Sequence, residues 1–122
     1  MPRLQDRLDI VSTFAAIARE LGPANFIYSD GDAVFIHGDR RHHGDGLGIR
    51  PPGLHVLESR SASPQHAFDA GGLSVRTGPD EGMILAASVP LTGDPGWRPL
   101  AQGEILVLQG ATIRPPPAAD QK

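Results

Sequence analysis

This sequence predicts an α+β fold in which antiparallel β-sheet layers pack against one N-terminal helix. One long helical periodicity opens the chain, and short runs of β-branched and aromatic residues fill the rest. The 15 glycines and 12 prolines among 122 residues separate those runs. Such punctuation favours turns and short strands over long helices.

The helix is predicted over residues 3–21. Leu4, Leu8, Val11, Phe14, Ala15, Ala18 and Leu21 recur there at steps of three and four, the spacing of one helical face. Pro2 suits the first turn and Gly22-Pro23 stops the helix. Arg3, Asp6, Arg7, Asp9, Thr13 and Glu20 occupy the opposite, solvated side, so the helix is expected to cover something flat and apolar.

Two runs follow at 25–29 and 33–37, joined by Asp30-Gly31-Asp32. A short link whose glycine tolerates positive φ reads as a hairpin. Asp30 and Asp32 also suit a calcium loop, but the glutamate of the twelfth position is missing, so the turn is the better reading. Residues 38–52 form a polar, glycine-rich loop that ends stiffly at Pro51-Pro52-Gly53. A strand is expected at 54–59, then a loose segment through Ser63, Pro64 and Gly71-Gly72. A short edge strand is expected at 73–76. The most apolar strands fall at 83–89 and 104–109, and residues 111–114 are expected to pair back across the Gln109-Gly110 turn. Residues 115–122, with three consecutive prolines, read as a disordered tail.

The runs at 83–89 and 104–109 are continuously apolar rather than alternating, which implies burial on both sheet faces. One helix covers one face. Either the strands fold into a two-layer sandwich within this chain or a sheet from outside covers the second face; only about 70 to 80 residues carry a core pattern, which favours the outside sheet.

A chain of 122 residues is one domain or less. A formal charge of −3 gives no reason to expect nucleic acid or an anionic membrane as partner. No window approaches the roughly 20 apolar residues of a membrane helix, and the start lacks the apolar run of a signal peptide. A cytoplasmic address is therefore expected. With no cysteine, a disulfide framework, a thiolate metal site and a cysteine nucleophile are all excluded within this chain.

Several residues have the chemical types of a reactive site. His37, His42, His43, His55 and His66 all fall in the middle third, and His37, Asp39, His42, His43 and Asp45 together have the donors of a zinc, nickel or iron site. Their spacing lacks the fixed helical register of a persuasive metal motif, and a solvated loop is the plainer reading. Ser29, Ser88 and Thr92 have no nucleophile-elbow sequence around them. A Pro2 amine could act as a general base, but that role belongs to a proline opening a strand, and here a helix follows. Trp97 is expected to cap one end of the core.

Four segments in order resemble one family. They are Asn25-Phe26-Ile27-Tyr28-Ser29-Asp30-Gly31, similar to an NFLLSDG hairpin; the basic stretch Asp39-Arg40-Arg41-His42-His43; the strand entry Pro51-Pro52-Gly53-Leu54; and Ala87-Ser88-Val89-Pro90-Leu91-Thr92 with the Trp97-Arg98-Pro99-Leu100 loop beyond it. With the preceding helix they resemble the class II glutamine amidotransferase domain, C-terminal half only, over residues 1–114.

The resemblance implies half of an αββα N-terminal nucleophile hydrolase sandwich. In that family a first-residue cysteine attacks the glutamine side-chain amide, its own amine is the base, and an Asn-Gly pair forms the oxyanion hole. An arginine and an aspartate hold the substrate's α-groups. All of these precede the matched region, so no catalytic, cofactor-binding or metal-ligating residue carries over and no cofactor is implied. Val89 departs from the family, whose bacterial subgroup has an acidic residue there.

Three readings stand at this point. The chain is the C-terminal portion of such a domain, as a split subunit or truncated frame inactive alone, with an N-terminal half as partner. Or it is a non-catalytic β-rich assembly module that forms a homo-oligomer through an exposed sheet. Or it is a small metal-binding protein built on the histidine loop.

Overall fold

A computed structural model describes residues 2–60, 66–70, 73–77, 82–110 and 112–114, with 59–60, 66–70 and 73–77 described as backbone alone. Helix α1 spans Leu4–Leu21. Strands β1 (Phe26–Ser29) and β2 (Val34–His37) form the predicted hairpin. Asp30 builds its turn: Oδ1 accepts from the amides of Asp32 and Ala33, and Gly31 takes φ +91°. A side chain that accepts from amides two and three residues on is the mechanism by which Asp favours turns.

The loop predicted at 38–52 contains a two-residue ladder, β3 (Arg41–His42) against β4 (Ile49–Arg50). Strand β5 (His55–Arg60) follows as expected. The segment read as loose holds β6 (His66–Ala70), which pairs antiparallel with β7 (Leu73–Thr77). Alternation in His66-Ala67-Phe68-Asp69-Ala70 is too weak to stand out, since one large apolar residue carries it. Strand β8 is Gly82–Ala87, β9 is Arg98–Pro99, β10 is Ile105–Gln109, and β11 (Thr112–Arg114) pairs back on β10. Residues 61–65, including Ser63 and Pro64, and the tail predicted at 115–122 lie outside the described residues.

Two sheets carry the core. The first has the order β1-β2-β10-β11 and the second β8-β5-β9. Register places Phe35 opposite Val107 and Ile36 opposite Leu106. Successive side chains alternate between faces, so the two pairs point opposite ways. Phe35 and Val107 pack under α1 with Val11 and Ala33. Ile36, Leu106 and Leu108 meet Val56 of β5, Leu54 just before that strand and Leu100 just after β9. The result is helix, sheet, sheet.

This corrects the expectation that a sheet from outside covers the second face: β5, β8 and Leu100 of this chain do so. Strand β10 is buried on both faces as predicted, through Leu106, Val107 and Leu108, whereas β8 is only half-buried along its length. Trp97 is half-buried and stands outside both core clusters; its indole N–H donates to Thr92 Oγ1 at 2.9 Å. Leu100, 1% exposed, fills the place expected of it.

The helix also differs from its predicted face. Leu4, Leu8, Val11 and Ala15 face the sheet, but Phe14 and Leu21 are exposed. They lie about a quarter-turn round the helix, with Ile10 and Ile17, which are exposed as well. The helix thus has two apolar faces rather than one.

Candidate functional site

The described chain places its buried polar groups where α1 ends beside β2. His37 and Asp39 are both fully buried. Arg19 Nη1 lies 3.3 Å from His37 Nε2. Arginine has no acceptor, so Arg19 donates, Nε2 accepts and the imidazole proton sits on Nδ1. That Nδ1 has no hydrogen-bond partner among the described residues. Burial holds the imidazole below its ordinary value and the Arg19 charge adds to this; the Glu104 carbonyl and Asp39 oppose it. His37 is therefore a closed-in imidazole that accepts from Arg19.

Asp39 faces elsewhere. Its Oδ2 accepts from the Ala24 amide at 2.9 Å and its Oδ1 from Gln102 Nε2 at 3.2 Å, with Arg40 Nε 3.6 Å away. Asn25 bridges the same strands, accepting from the Asp39 amide at 2.6 Å and donating to the Arg40 carbonyl at 2.9 Å. Arg40 Nη2 in turn donates to the Arg19 carbonyl at 3.3 Å, a cation at a helix C-terminus. This network locks the end of α1 to β2 and to the 100–104 turn. It contains no nucleophile and no His–Asp hydrogen bond, so its chemistry is structural.

The remaining sequence candidates stand apart. His42 is exposed on β3, His43 Nε2 lies 2.9 Å from the Arg50 carbonyl, and His55 Nδ1 lies 3.2 Å from the Ser88 carbonyl. Asp45 is bound by Arg50, which holds its carboxyl well below the usual range. Among the described residues no group of three or more His, Asp or Glu side chains is placed to hold a metal. The side chain of His66 lies outside them. Ser29 Oγ accepts from the Gly31 amide, and Thr92 Oγ1 bonds Asp94 and Trp97, so both hydroxyls serve turns. Ser88 meets His55 only through its backbone carbonyl, which leaves its hydroxyl without a base there. Pro2 is exposed, and its carbonyl accepts from Arg7 Nε. Val89 is exposed in the loop after β8.

An apolar surface is the feature that residue types alone do not reveal. Ile10, Phe14, Ile17 and Leu21 line the outer side of α1, next to Ile27 and Tyr28 of β1. A groove of about 450 Å³ runs between them, lined by Ile10, Val11, Phe14, Phe26, Ile27 and Tyr28. The signal was present in the 4, 3, 4 spacing of the helical four, hidden because Phe14 and Leu21 also fit the buried face.

Among the described residues no helix is long and apolar enough to cross a membrane. No curated protein matches the sequence significantly. Among solved structures, the chain is similar to a predicted glutamine amidotransferase from Pseudomonas aeruginosa PA01, at 20% identity and TM-score 0.69 over 93% of this chain and 42% of that one. At that identity the likeness is one of fold, and the chain spans about two fifths of the other's length. The family model of the class-II glutamine amidotransferases matches residues 1–119, nearly the whole sequence, and the chain belongs to that family.

Proposed function

We propose that this chain supplies the C-terminal part of a class II glutamine amidotransferase domain of the N-terminal nucleophile hydrolase type, and that it does not hydrolyse glutamine by itself. One observation carries this reading: a chain with no cysteine matches the family over residues 1–119 while spanning 42% of the similar structure. In the reaction the resemblance implies, a thiol attacks the glutamine carboxamide, ammonia leaves, and water releases glutamate from the thioester. That chemistry needs a thiolate sulfur, and Ser29 and Thr92 are committed to turns. This chain's contribution is the scaffold: α1, the two sheets and the Arg19–His37–Asp39 network that fixes them. A cysteine-bearing N-terminal half is its partner, and the cytoplasm its location.

The test is release of glutamate and ammonia from glutamine, measured on the purified chain alone and together with such a half. Silence alone and turnover in the mixture support the reading. Turnover by the chain alone overturns it. A non-catalytic assembly module draws on the same bare apolar face, and turnover in the mixture separates the two.

A further inference from the structure

We infer that the outer side of α1 is the interface of a homodimer, in which two copies of this chain pack their helices antiparallel about a two-fold axis. Such a dimer needs only this chain and is independent of the glutamine chemistry proposed above.

The apolar line on α1 is self-complementary. Ile10 is 68% exposed, Phe14 58%, Ile17 57% and Leu21 87%, and they follow one another at steps of 4, 3 and 4. That order of steps is the same in both directions. A second helix turned end for end therefore sets Ile10 against Leu21 and Phe14 against Ile17, so every member of the line meets an apolar partner across the axis. The two helix macrodipoles then oppose, whereas a parallel pair would align like poles. Glu20 comes level with Thr13 of the second copy, while Asp6 and Asp9 lie level with the turn beyond its helix. No two acidic side chains of α1 are set face to face.

Shape and area agree with a second copy. The line stands between the groove of about 450 Å³ bounded by Ile10 and Tyr28 and, on its other flank, a hollow of about 430 Å³ bounded by Asp9, Thr13 and Ile17. Leu21 of the second copy, set against Ile10, reaches the mouth of that groove. Tyr28, 51% exposed, borders it from the helix side of the sheet, since its register partner Phe35 packs under α1. At roughly 200 Å² per large side chain, Tyr28 and the helical four expose on the order of 600 Å². That lies at the upper end of what a monomer leaves bare. Two copies together bury about 1,200 Å² through these side chains, where specific, stable interfaces begin.

Sedimentation velocity of the purified chain, from about 1 to 100 μM, tests this. The expected result is a concentration-dependent species of twice the 12.9 kDa of one chain. Ile17→Glu, at an exposed position, is expected to weaken it at least about tenfold with unchanged helical circular dichroism. Leu91→Glu, exposed elsewhere, is expected to leave it intact. Ile10→Glu and Leu21→Lys are each expected to lose the homodimer. Mixed in equal amounts they are expected to regain a heterodimer, because one layer then pairs Glu with Lys and the other keeps Ile against Leu.

A chain that stays monomeric across that range overturns the dimer, and so does a dimer indifferent to Ile17→Glu. Homodimers lost in both single variants and not regained on mixing overturn the antiparallel arrangement. If the chain is monomeric and binds a cysteine-bearing half in a way that Ile17→Glu abolishes, the face belongs to that half; the dimer then fails and the amidotransferase reading stands.

Discussion

Arg7 Nη1 donates to Asp30 Oδ2 at 2.7 Å, tying the first half of α1 to a turn 23 residues later in the chain. Its Nη2 reaches Asp32 Oδ2 at 3.0 Å, and Gln109 Nε2 reaches the same oxygen at 3.0 Å. One guanidinium thus holds the helix against the β1–β2 turn, and Gln109 brings the end of β10 to the same point. Arg's planar fork suits such a double contact.

The pair has a pH signature. The amide of Ala33, the Arg7 guanidinium and the amide of Asp32 hold the Asp30 carboxyl at about 2, against 3.8 ordinarily. Its contribution is therefore complete above pH 3.8 and lost as pH falls through about 2. Arg7→Ala is expected to lower the melting temperature at pH 7 and to differ little from the parent near pH 2. Thermal melts across pH 2–7 check this. A difference that persists undiminished at the acid end contradicts it.

His37 acts on stability in the same direction, at milder acidity. Unfolded, it binds a proton near 6.5; folded, it does so only at lower pH. The unfolded state then holds more protons, so stability falls as pH drops below about 6.5. His37→Phe is expected to flatten the slope of unfolding free energy between pH 6.5 and 5. Urea titrations at each pH measure that slope, and an unchanged slope assigns the effect to another group.

Truncation on the two sides of the central sheet is expected to be similarly costly. Phe35→Ala opens the space under α1 and Leu106→Ala the space between the sheets. Costs of about 3–5 and about 2–5 kcal/mol follow from lost burial plus the residual cavity. Equilibrium urea unfolding of both variants checks this. A Leu106→Ala cost below about 1 kcal/mol would mean that the second sheet does not cover β10.

Two glycines are required for space rather than for φ. A Cβ at Gly38 would lie 2.8 Å from Leu100 Cβ, and one at Gly53 would overlap the Asn25 side-chain amide. Gly53→Ala is expected to cost about 1–3 kcal/mol by displacing Asn25 from the Asp39 amide and the Arg40 carbonyl. Gly93→Ala, with open space around it, is expected to be nearly neutral. Paired denaturation curves distinguish the two.

By itself the sequence determined the local elements and the family. The helical period from Leu4 to Leu21, the Asp30-Gly31-Asp32 hairpin, the doubly apolar β10 and its return through Gly110 each depend on neighbours within a few residues, and such patterns are legible in one dimension. The ordered motifs sufficed for the amidotransferase resemblance, and the lack of cysteine excluded a thiol nucleophile in this chain. Tertiary structure alone decided what covers what. Whether Phe14 and Leu21 face the sheet or the outside depends on the helix's rotation against Phe35 and Val107, which a set of apolar residues spread round half the helix does not specify. Whether the second face of β10 is closed from within depends on β5 and Leu100 arriving from distant positions. The same holds for His37 and Asp39: their residue types suit a metal or a catalytic pair, and burial with Arg19, Asn25 and Gln102 makes them a lock. Contacts between residues far apart in sequence follow from how the sheets stack, and that is settled by packing all the surfaces at once.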